Sequence, residues 1–180
     1  MKQLDKSFFK RDTVKVSKEL LGKLMEVNGH IGRIVETEAY KDDQASHARK
    51  MTGRSRLMYE TYGHIYVYMI YGMYHCLNFT SDTKPGAVLI RAVEPLERIE
   101  EMMKRRDTDK ITDLCSGPGK LCQALNIDNR FNGIEIGKDI KLYDDGFKPD
   151  IAKSSRIGIS TATDLEWRFF IKDSMFLSRR

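Results

Sequence analysis

The sequence has few cysteines, no long apolar run and no low-complexity linker, and each absence argues against a class of protein. Three cysteines in 180 residues cannot form a disulfide framework, and their odd number favours a reducing compartment, so we expect a cytoplasmic protein. The longest apolar stretch, residues 65–71, is too short to cross a bilayer, and residues 1–6 lead into no apolar signal segment. Nothing divides the chain, which predicts one domain over residues 1–180.

Composition leaves the function open. Apolar residues make up 41% of the chain and charged residues 32%, which is ordinary for a globular protein. The net charge of +5 is compatible with a nucleic-acid partner but does not require one. Cys115 and Cys122 lack the close pairs of a zinc site, so we expect no metal.

Two local signals organise the first part of the chain. Gly22 is a typical end for a helix predicted over residues 13–21. Asn28-Gly29 supplies the two positive φ angles of a tight turn, because both residue types tolerate them. The turn predicts a hairpin between strands at residues 23–27 and 31–40.

The later elements favour an α+β fold. Pro95 suits the first position of a helix, and apolar residues follow it at helical spacing. A short helix is also expected to follow Ser116–Lys120. Strict strand–helix alternation is absent, so we expect a single α+β domain with a curved, mostly antiparallel β-sheet and a few flanking helices. Further strands are predicted at residues 65–71, 87–93, 135–143, 156–161 and 168–172.

Two carboxylates share one face of the second hairpin strand. Period-two alternation places Glu36, Glu38 and Tyr40 on that face, with Thr37 and Ala39 on the other. Such a face is most commonly solvated. The alternative is that one carboxylate, partly desolvated beside the tyrosine, acts as a general base or stabilises positive charge.

Tyrosines are concentrated in one short stretch. Five of the eight lie within residues 62–74, and Gly72 allows a sharp turn directly after Tyr71. Tyr66 and Tyr68 share a strand face, where a tyrosine packs well if its hydroxyl finds a partner. Tyrosines near a strand end also make stacking platforms for bases, and one held out on a turn could wedge into a duplex.

Two basic loops are candidates for phosphate contacts. The loop over residues 47–56 carries Arg54 and Arg56 among small residues, a pattern that is usually solvated but also suits a DNA backbone. Lys120 stands beside the glycines that open the second loop's helix, where free N–H groups could hold a phosphate. The spacing is not that of a P-loop.

Five blocks in order resemble the alkyladenine (methylpurine) DNA glycosylase family, and the similarity runs across nearly the whole chain. They are RIVETEAY at 33–40, YVYMIYGMY at 66–74, CLN at 76–78, VLIRAVEPL at 88–96 and LCSGPGKLCQAL at 114–125. The resemblance implies an enzyme that extrudes a damaged purine from duplex DNA and hydrolyses its bond to the sugar.

The resemblance also implies catalytic roles. Glu38 is expected to activate a water for attack on the sugar C1′, and to stabilise the positive charge that develops there. Arg91 is expected to hold that water and keep Glu38 ionised. The main-chain carbonyl of Ile159 is the expected second contact of the water.

The base pocket follows from the same resemblance. Tyr40 is expected to stack on one face of the flipped base, with His47 and Tyr68 against the other. Asn78 is expected to exclude normal guanine by crowding its 2-amino group. The amide of Ala45 is expected to donate to purine N7, which would help a neutral base such as hypoxanthine to leave.

The expected partner is damaged double-stranded DNA, with Tyr71 as the wedge in the helix and Arg54, Arg56 and Lys120 as backbone contacts. No lysine nucleophile of a lyase is placed in the pocket, so a monofunctional glycosylase without a cofactor is expected, acting as a monomer. The candidate lesions are 3-methyladenine, 7-methylguanine, hypoxanthine and ethenoadenine. Two alternatives stay open: a non-catalytic module that binds damaged DNA, and a nucleoside hydrolase.

Overall fold

The computed structural model describes residues 1–179, except for the side chain of His47. Within that part, nine β-strands form one sheet and four α-helices flank it. The helices are Thr13–Leu20 (α1), Arg56–Glu60 (α2), Ile99–Arg106 (α3) and Pro118–Ala124 (α4). The strands are Lys2–Leu4 (β1), Leu24–Val27 (β2), His30–Tyr40 (β3), Ile65–Ile70 (β4), Tyr74–Thr80 (β5), Ala87–Pro95 (β6), Ile140–Asp144 (β7), Ile151–Ser154 (β8) and Arg168–Ile171 (β9).

The strand pairings confirm the α+β, antiparallel prediction. The order is β1-β7-β2-β3-β6-β5-β4, and each pairing along it is antiparallel. The long strand β3 pairs with β6 along one side, while its other side meets β2 first and then β9. β9 pairs in turn with β8.

The register between β3 and β6 shifts in the middle of the sheet. Glu36 lies opposite Ala92 and Thr37 lies opposite Ile90, so Arg91 is the extra residue of a bulge. A bulge re-aims a side chain locally. Here Arg91 lies beside two carboxylates of β3.

The predictions for the first hairpin and first helix are confirmed. Asn28 and Gly29 have φ angles of 51° and 76° between β2 and β3, as a tight turn requires. The helix α1 ends at Leu20, and Gly22 follows with φ of 82°. Asp12 caps the N-terminus of α1 by accepting hydrogen bonds from the amides of Val14 and Lys15.

The prediction for Pro95 is wrong. Pro95 ends β6 opposite Gly32, and the helix α3 begins only at Ile99. The amides of Leu96 and Glu97 both donate to the carbonyl of Ile31, so the chain stays bound to β3 beyond the proline. Long-range strand pairing therefore outweighs the local helix signal of the proline.

Two other strand predictions need correction, and some strands were missed. Residues 156–161 form turns rather than a strand, and the strand expected at 135–143 begins only at Ile140. Before Ile140 the chain turns, with the amide of Gly137 donating to the Ile140 carbonyl. The strands β1, β5 and β8 were not predicted.

The main hydrophobic core draws on both ends of the chain, from Leu4 to Phe169. A second, small cluster consists of Ala48, Met58, Tyr66 and Ala87. Met58, Tyr66 and Ala87 of this cluster also line a cavity beside β3 and β4.

Candidate active site

Glu36 and Glu38 are both fully buried, so the interpretation as a solvated face is wrong. Glu38 Oε2 accepts from the Tyr40 hydroxyl at 2.7 Å and from Arg91 Nη1 at 3.4 Å. Glu38 Oε1 accepts from the amide of Ile157 at 2.6 Å. A buried carboxylate is tolerated when charged and polar donors of this kind surround it.

Arg91 links the two carboxylates. Its Nε donates to Glu36 Oε1 at 3.2 Å while its Nη1 reaches Glu38. Glu36 Oε1 also accepts from Arg168 Nε at 2.8 Å, so two carboxylates and two guanidinium groups neutralise one another beneath the sheet face.

Tyr40 stands between Glu38 and the pocket. Its hydroxyl donates to Glu38, and its ring lies 4.8 Å from the guanidinium carbon of Arg156. Burial and the neighbouring Glu38 carboxylate raise the pKa of Tyr40, so the hydroxyl stays protonated and keeps donating.

Arg156 and Asp43 form a buried ion pair that joins two loops of the site. Arg156 donates to both Asp43 oxygens, at 2.7 and 3.1 Å, and to the Ala39 carbonyl at 3.1 Å. The Arg156 side chain has no exposed surface and that of Asp43 only 5%. Asp43 Oδ1 also accepts from the Ala45 amide at 2.9 Å. The pair therefore fixes both the loop that carries Ala45 and the loop that follows Arg156.

An inner pocket of about 160 Å³ lies against these loops. It brings together five residues predicted for the site: Tyr40, Ala45, Tyr68, Asn78 and Ile159. Glu38 lies directly behind this wall, because its partners Tyr40 and Ile157 both line the pocket. The predicted role of His47 lies outside the described side chains.

Polar and apolar groups both line the inner pocket. Asn78 is buried, and its amide nitrogen donates to the carbonyls of Tyr66 and Cys76 at 3.1 and 3.3 Å. The Tyr66 and Tyr68 rings lie 5.3 Å apart. Burial raises the pKa of Tyr66 to about 12, so the pocket presents uncharged aromatic surfaces.

An outer cleft of about 620 Å³ continues from the inner pocket and shares Tyr40, Tyr68, Ile157 and Gly158 with it. Arg91, Tyr71 and Lys120 line this cleft. Tyr71 is 87% exposed at the tip of the β4–β5 hairpin, with φ of 52°. The following Gly72 has φ of 68°, so the turn holds the tyrosine ring away from the sheet.

The basic residues predicted for DNA have different surroundings. Arg54 is exposed, and its guanidinium carbon lies 5.7 Å from the centre of the Tyr68 ring, near the inner pocket. Arg56 pairs with Glu60 at 2.8 Å, and Lys120 pairs with Asp113. A phosphate would have to compete with these two carboxylates.

The three cysteines are buried and reduced. Burial raises the pKa of the Cys76 thiol to about 11 and that of Cys115 to about 12, and it raises the pKa of Cys122 well above its usual value. Cys76 lines the outer cleft. Within residues 1–179 no cluster of three acidic, histidine or cysteine side chains could hold a metal. In the same residues no helix is long and apolar enough to cross a membrane.

Sequence reasoning missed several residues of the site. Glu36 could be noticed because strand alternation places it beside Glu38, but no role followed from that. Asp43, Arg156 and Ser178 carried no local signal, because their partners are distant in the chain. Arg156 lies 113 positions from Asp43, and Ser178 lies 142 positions from Glu36.

A concave pocket with convergent buried polar groups and a carboxylate behind its wall is the arrangement of an enzyme active site. The family model for methylpurine-DNA glycosylases matches residues 7–175. The chain belongs to this family and is a DNA glycosylase, which confirms the resemblance seen in the sequence.

Relatives named 3-methyladenine DNA glycosylase agree along the whole length. The chain is 45% identical over 201 residues to the relative from Clostridium novyi, with 100% of both chains covered. It is 48% identical over 177 residues to the relative from Rhizobium johnstonii, covering 97% of this chain and 88% of the relative. The identity to the relative from Clostridium perfringens is 46% over 204 residues, covering 99% and 100%.

Proposed function

We propose that the protein removes alkylated or deaminated purines from duplex DNA by hydrolysing the N-glycosidic bond, and leaves an intact abasic site. The observation that carries the proposal is the fully buried Glu38, held by three donors directly behind an aromatic pocket. The names of the relatives support 3-methyladenine as one substrate. We extend the proposal to 7-methylguanine, hypoxanthine and ethenoadenine.

Recognition begins with extrusion of the damaged nucleotide. Tyr71 fills the vacated space in the duplex, for which its 87% exposure at a hairpin tip is suited. Unstacking costs a few kcal/mol and costs least at a damaged pair, so the wedge and the pocket together select the lesion. Arg54, Arg56 and Lys120 contact the backbone, the last two after release from their carboxylate partners.

The inner pocket holds the extruded base. Tyr40 stacks on one face of the base, and Tyr68 with His47 closes the other. Asn78 projects from the pocket wall, where it excludes the 2-amino group of guanine. Purine N7 takes the Ala45 amide as donor, in exchange for Asp43 Oδ1, which accepts from that amide in the free protein.

Hydrolysis uses one water. Glu38 retains acceptor capacity on Oε1, since a carboxylate oxygen has two lone pairs and Ile157 occupies one. The water oxygen bonds to C1′ as the C1′–N bond breaks, the electron pair of that bond leaves with the base, and a proton of the water passes to Glu38. The Glu38 carboxylate stabilises the oxocarbenium-like charge, while Arg91 and the Ile159 carbonyl orient the water.

We further propose that the protein acts as a monomer in the cytoplasm. One molecule supplies both the pocket and the wedge, so the proposed reaction needs no second copy. Three reduced cysteines agree with a reducing compartment.

The decisive experiment compares the protein with Glu38→Gln on methylated and on hypoxanthine-containing duplexes, without added metal. Free base release and strand breaks are followed before and after alkali. We expect release by the parent alone, with breaks only after alkali. Glu19→Gln is the matched control, because Glu19 lies on α1 in a surface pair with Arg11.

Two outcomes would contradict the proposal. Lesion binding without base release by either protein would favour a binding module. Release from free nucleosides as fast as from duplex DNA would favour a nucleoside hydrolase.

A further inference from the structure

Glu36 has no part in the proposed chemistry, although it is fully buried and heavily hydrogen-bonded. Its Oε1 accepts from Arg91 Nε at 3.2 Å, and from Arg168 Nε and the Ser178 hydroxyl at 2.8 Å each. Its Oε2 accepts from the Ser178 amide at 2.6 Å. A buried carboxylate needs such donors. One of them, Arg91, also contacts Glu38 and so connects Glu36 to the catalytic centre.

Arg91 is divided among three acceptors. Its Nη1 faces Glu38, its Nε faces Glu36, and both Nε and Nη2 lie 3.3 Å from the Ser178 hydroxyl oxygen. Because the guanidinium group is planar and rigid, contacts on two of its edges fix its orientation.

The contact between Arg91 and Glu38 is long. Paired guanidinium and carboxylate groups normally meet at about 2.7–2.9 Å, whereas Arg91 Nη1 lies 3.4 Å from Glu38 Oε2. Arg91 lies at similar distances from the acceptors on its other edge, 3.2 Å from Glu36 Oε1 and 3.3 Å from the Ser178 hydroxyl oxygen, so Glu38 shares Arg91 with them.

Ser178 is itself anchored by the same cluster. Arg168 donates from Nη2 to the Arg179 carbonyl at 2.6 Å and from Nη1 to the Ser154 hydroxyl at 3.1 Å. The segment that follows β9 is therefore tied to β8 and β9 beside Glu36. The position of this segment places the Ser178 hydroxyl against Arg91.

We propose that Glu36 and Ser178 are positioning residues for the glycosylase reaction. They set the distance between Arg91 and Glu38, and so hold the Arg91 guanidinium group where it orients the water. This inference rests on the proposed role of Glu38. It gives the segment after β9 a share in catalysis, although no residue of that segment is among those lining the pocket or the cleft.

The test measures the single-turnover rate of base release and, separately, the Kd for a duplex with an abasic-site analogue. We expect Ser178→Ala to slow release about 10-fold and Glu36→Gln about 100-fold, since small misplacements of catalytic groups cost this much. The Kd should stay within about twofold of the parent value, because neither residue contacts DNA in the proposal.

Three comparisons separate positioning from stability. Ser178→Thr keeps the hydroxyl and should restore most of the rate. Ser174→Ala removes a hydroxyl from the same segment, one that accepts a hydrogen bond from the Phe176 amide, and should leave the rate unchanged. Combined with Arg91→Ala, Ser178→Ala should add less than about twofold, because it acts through Arg91.

Each rate is divided by the concentration of folded protein, and thermal unfolding of each variant gives its folded fraction. If Glu36→Gln does not fold, Ser178→Ala still decides the question. Parent-like base release by Ser178→Ala would overturn this inference but not the proposed function. The same holds if Ser174→Ala slows release as much as Ser178→Ala does. Absence of base release by the parent protein would instead overturn the proposed function, and this inference with it.

Discussion

Replacement of Arg156 by lysine tests whether the buried pair with Asp43 holds the site together. The lysine keeps the charge but loses the planar fork that reaches both Asp43 oxygens and the Ala39 carbonyl. It also loses the contacts of the guanidinium group with the Tyr40 and Trp167 rings, whose centres lie 4.8 and 5.2 Å from the guanidinium carbon. The change therefore removes contacts without removing the charge.

The magnitude follows from these contacts. Hydrogen bonds to charged groups contribute about 1.5–3 kcal/mol each, and a lysine can replace only part of the set. We expect the free energy of unfolding to fall by about 3 kcal/mol. In a chain of 180 residues, that loss lowers Tm by about 6–12 °C. Base release by the remaining folded protein should also slow, because Arg156 precedes the loop that donates to Glu38.

Urea unfolding measures the free energy directly, and Arg130→Lys serves as the control. Arg130 pairs with Asp128 at 2.9 Å, but its side chain is 74% exposed. Its replacement should cost less than about 1 kcal/mol. A loss below about 1 kcal/mol for Arg156→Lys, or equal losses for both variants, would refute the reasoning.

Three further predictions concern the wedge, the pocket wall and acid stability. Tyr71→Ala should leave the free energy of unfolding within about 0.5 kcal/mol of the parent, because the side chain is 87% exposed. The same variant should bind lesion duplex more weakly, and parent-like binding in a gel-shift assay would argue against a wedge. Tyr40→Phe removes the donor to Glu38 and should slow single-turnover base release at least about tenfold, whereas an unchanged rate would show that this hydrogen bond is dispensable. The pKa of Asp145 is lowered to about 2, chiefly by its hydrogen bond from Arg33. The contribution of ionised Asp145 to the free energy of unfolding is therefore complete above its unfolded pKa of about 3.9 and is lost as the pH falls towards 2. Urea unfolding of the parent and Asp145→Asn across that range should converge at the acid end, and a constant difference would contradict the assignment.

Local chemistry was enough to predict part of the fold. The Asn28-Gly29 turn and the helix end at Gly22 depend on backbone conformations that few residues tolerate, and both were predicted correctly. Pro95 was misjudged because its place is set by pairing with Gly32, on a strand far earlier in the chain. The same limit applies to residues 156–161, whose path depends on the Arg156 side chain and its distant partner.

The candidate site was predicted only where side chains follow strand alternation or match a family motif. Glu38, Tyr40 and Arg91 are drawn together by pairing between β3 and β6. Ser178 arrives by a path that no local pattern encodes, since its contacts with Glu36 depend on β9 pairing with β3. Long-range packing therefore supplied what the sequence pattern could not.

The buried thiols have a consequence for chemical resistance. Only a thiolate reacts readily with electrophiles, and a thiol with a pKa of about 11, as at Cys76, is ionised in about one molecule in ten thousand at pH 7. Cys115 and Cys122 are still less ionised. Methylating agents that damage purines also attack cellular thiols. An enzyme proposed to repair such damage would thus keep its own thiols unreactive while the agent is still present.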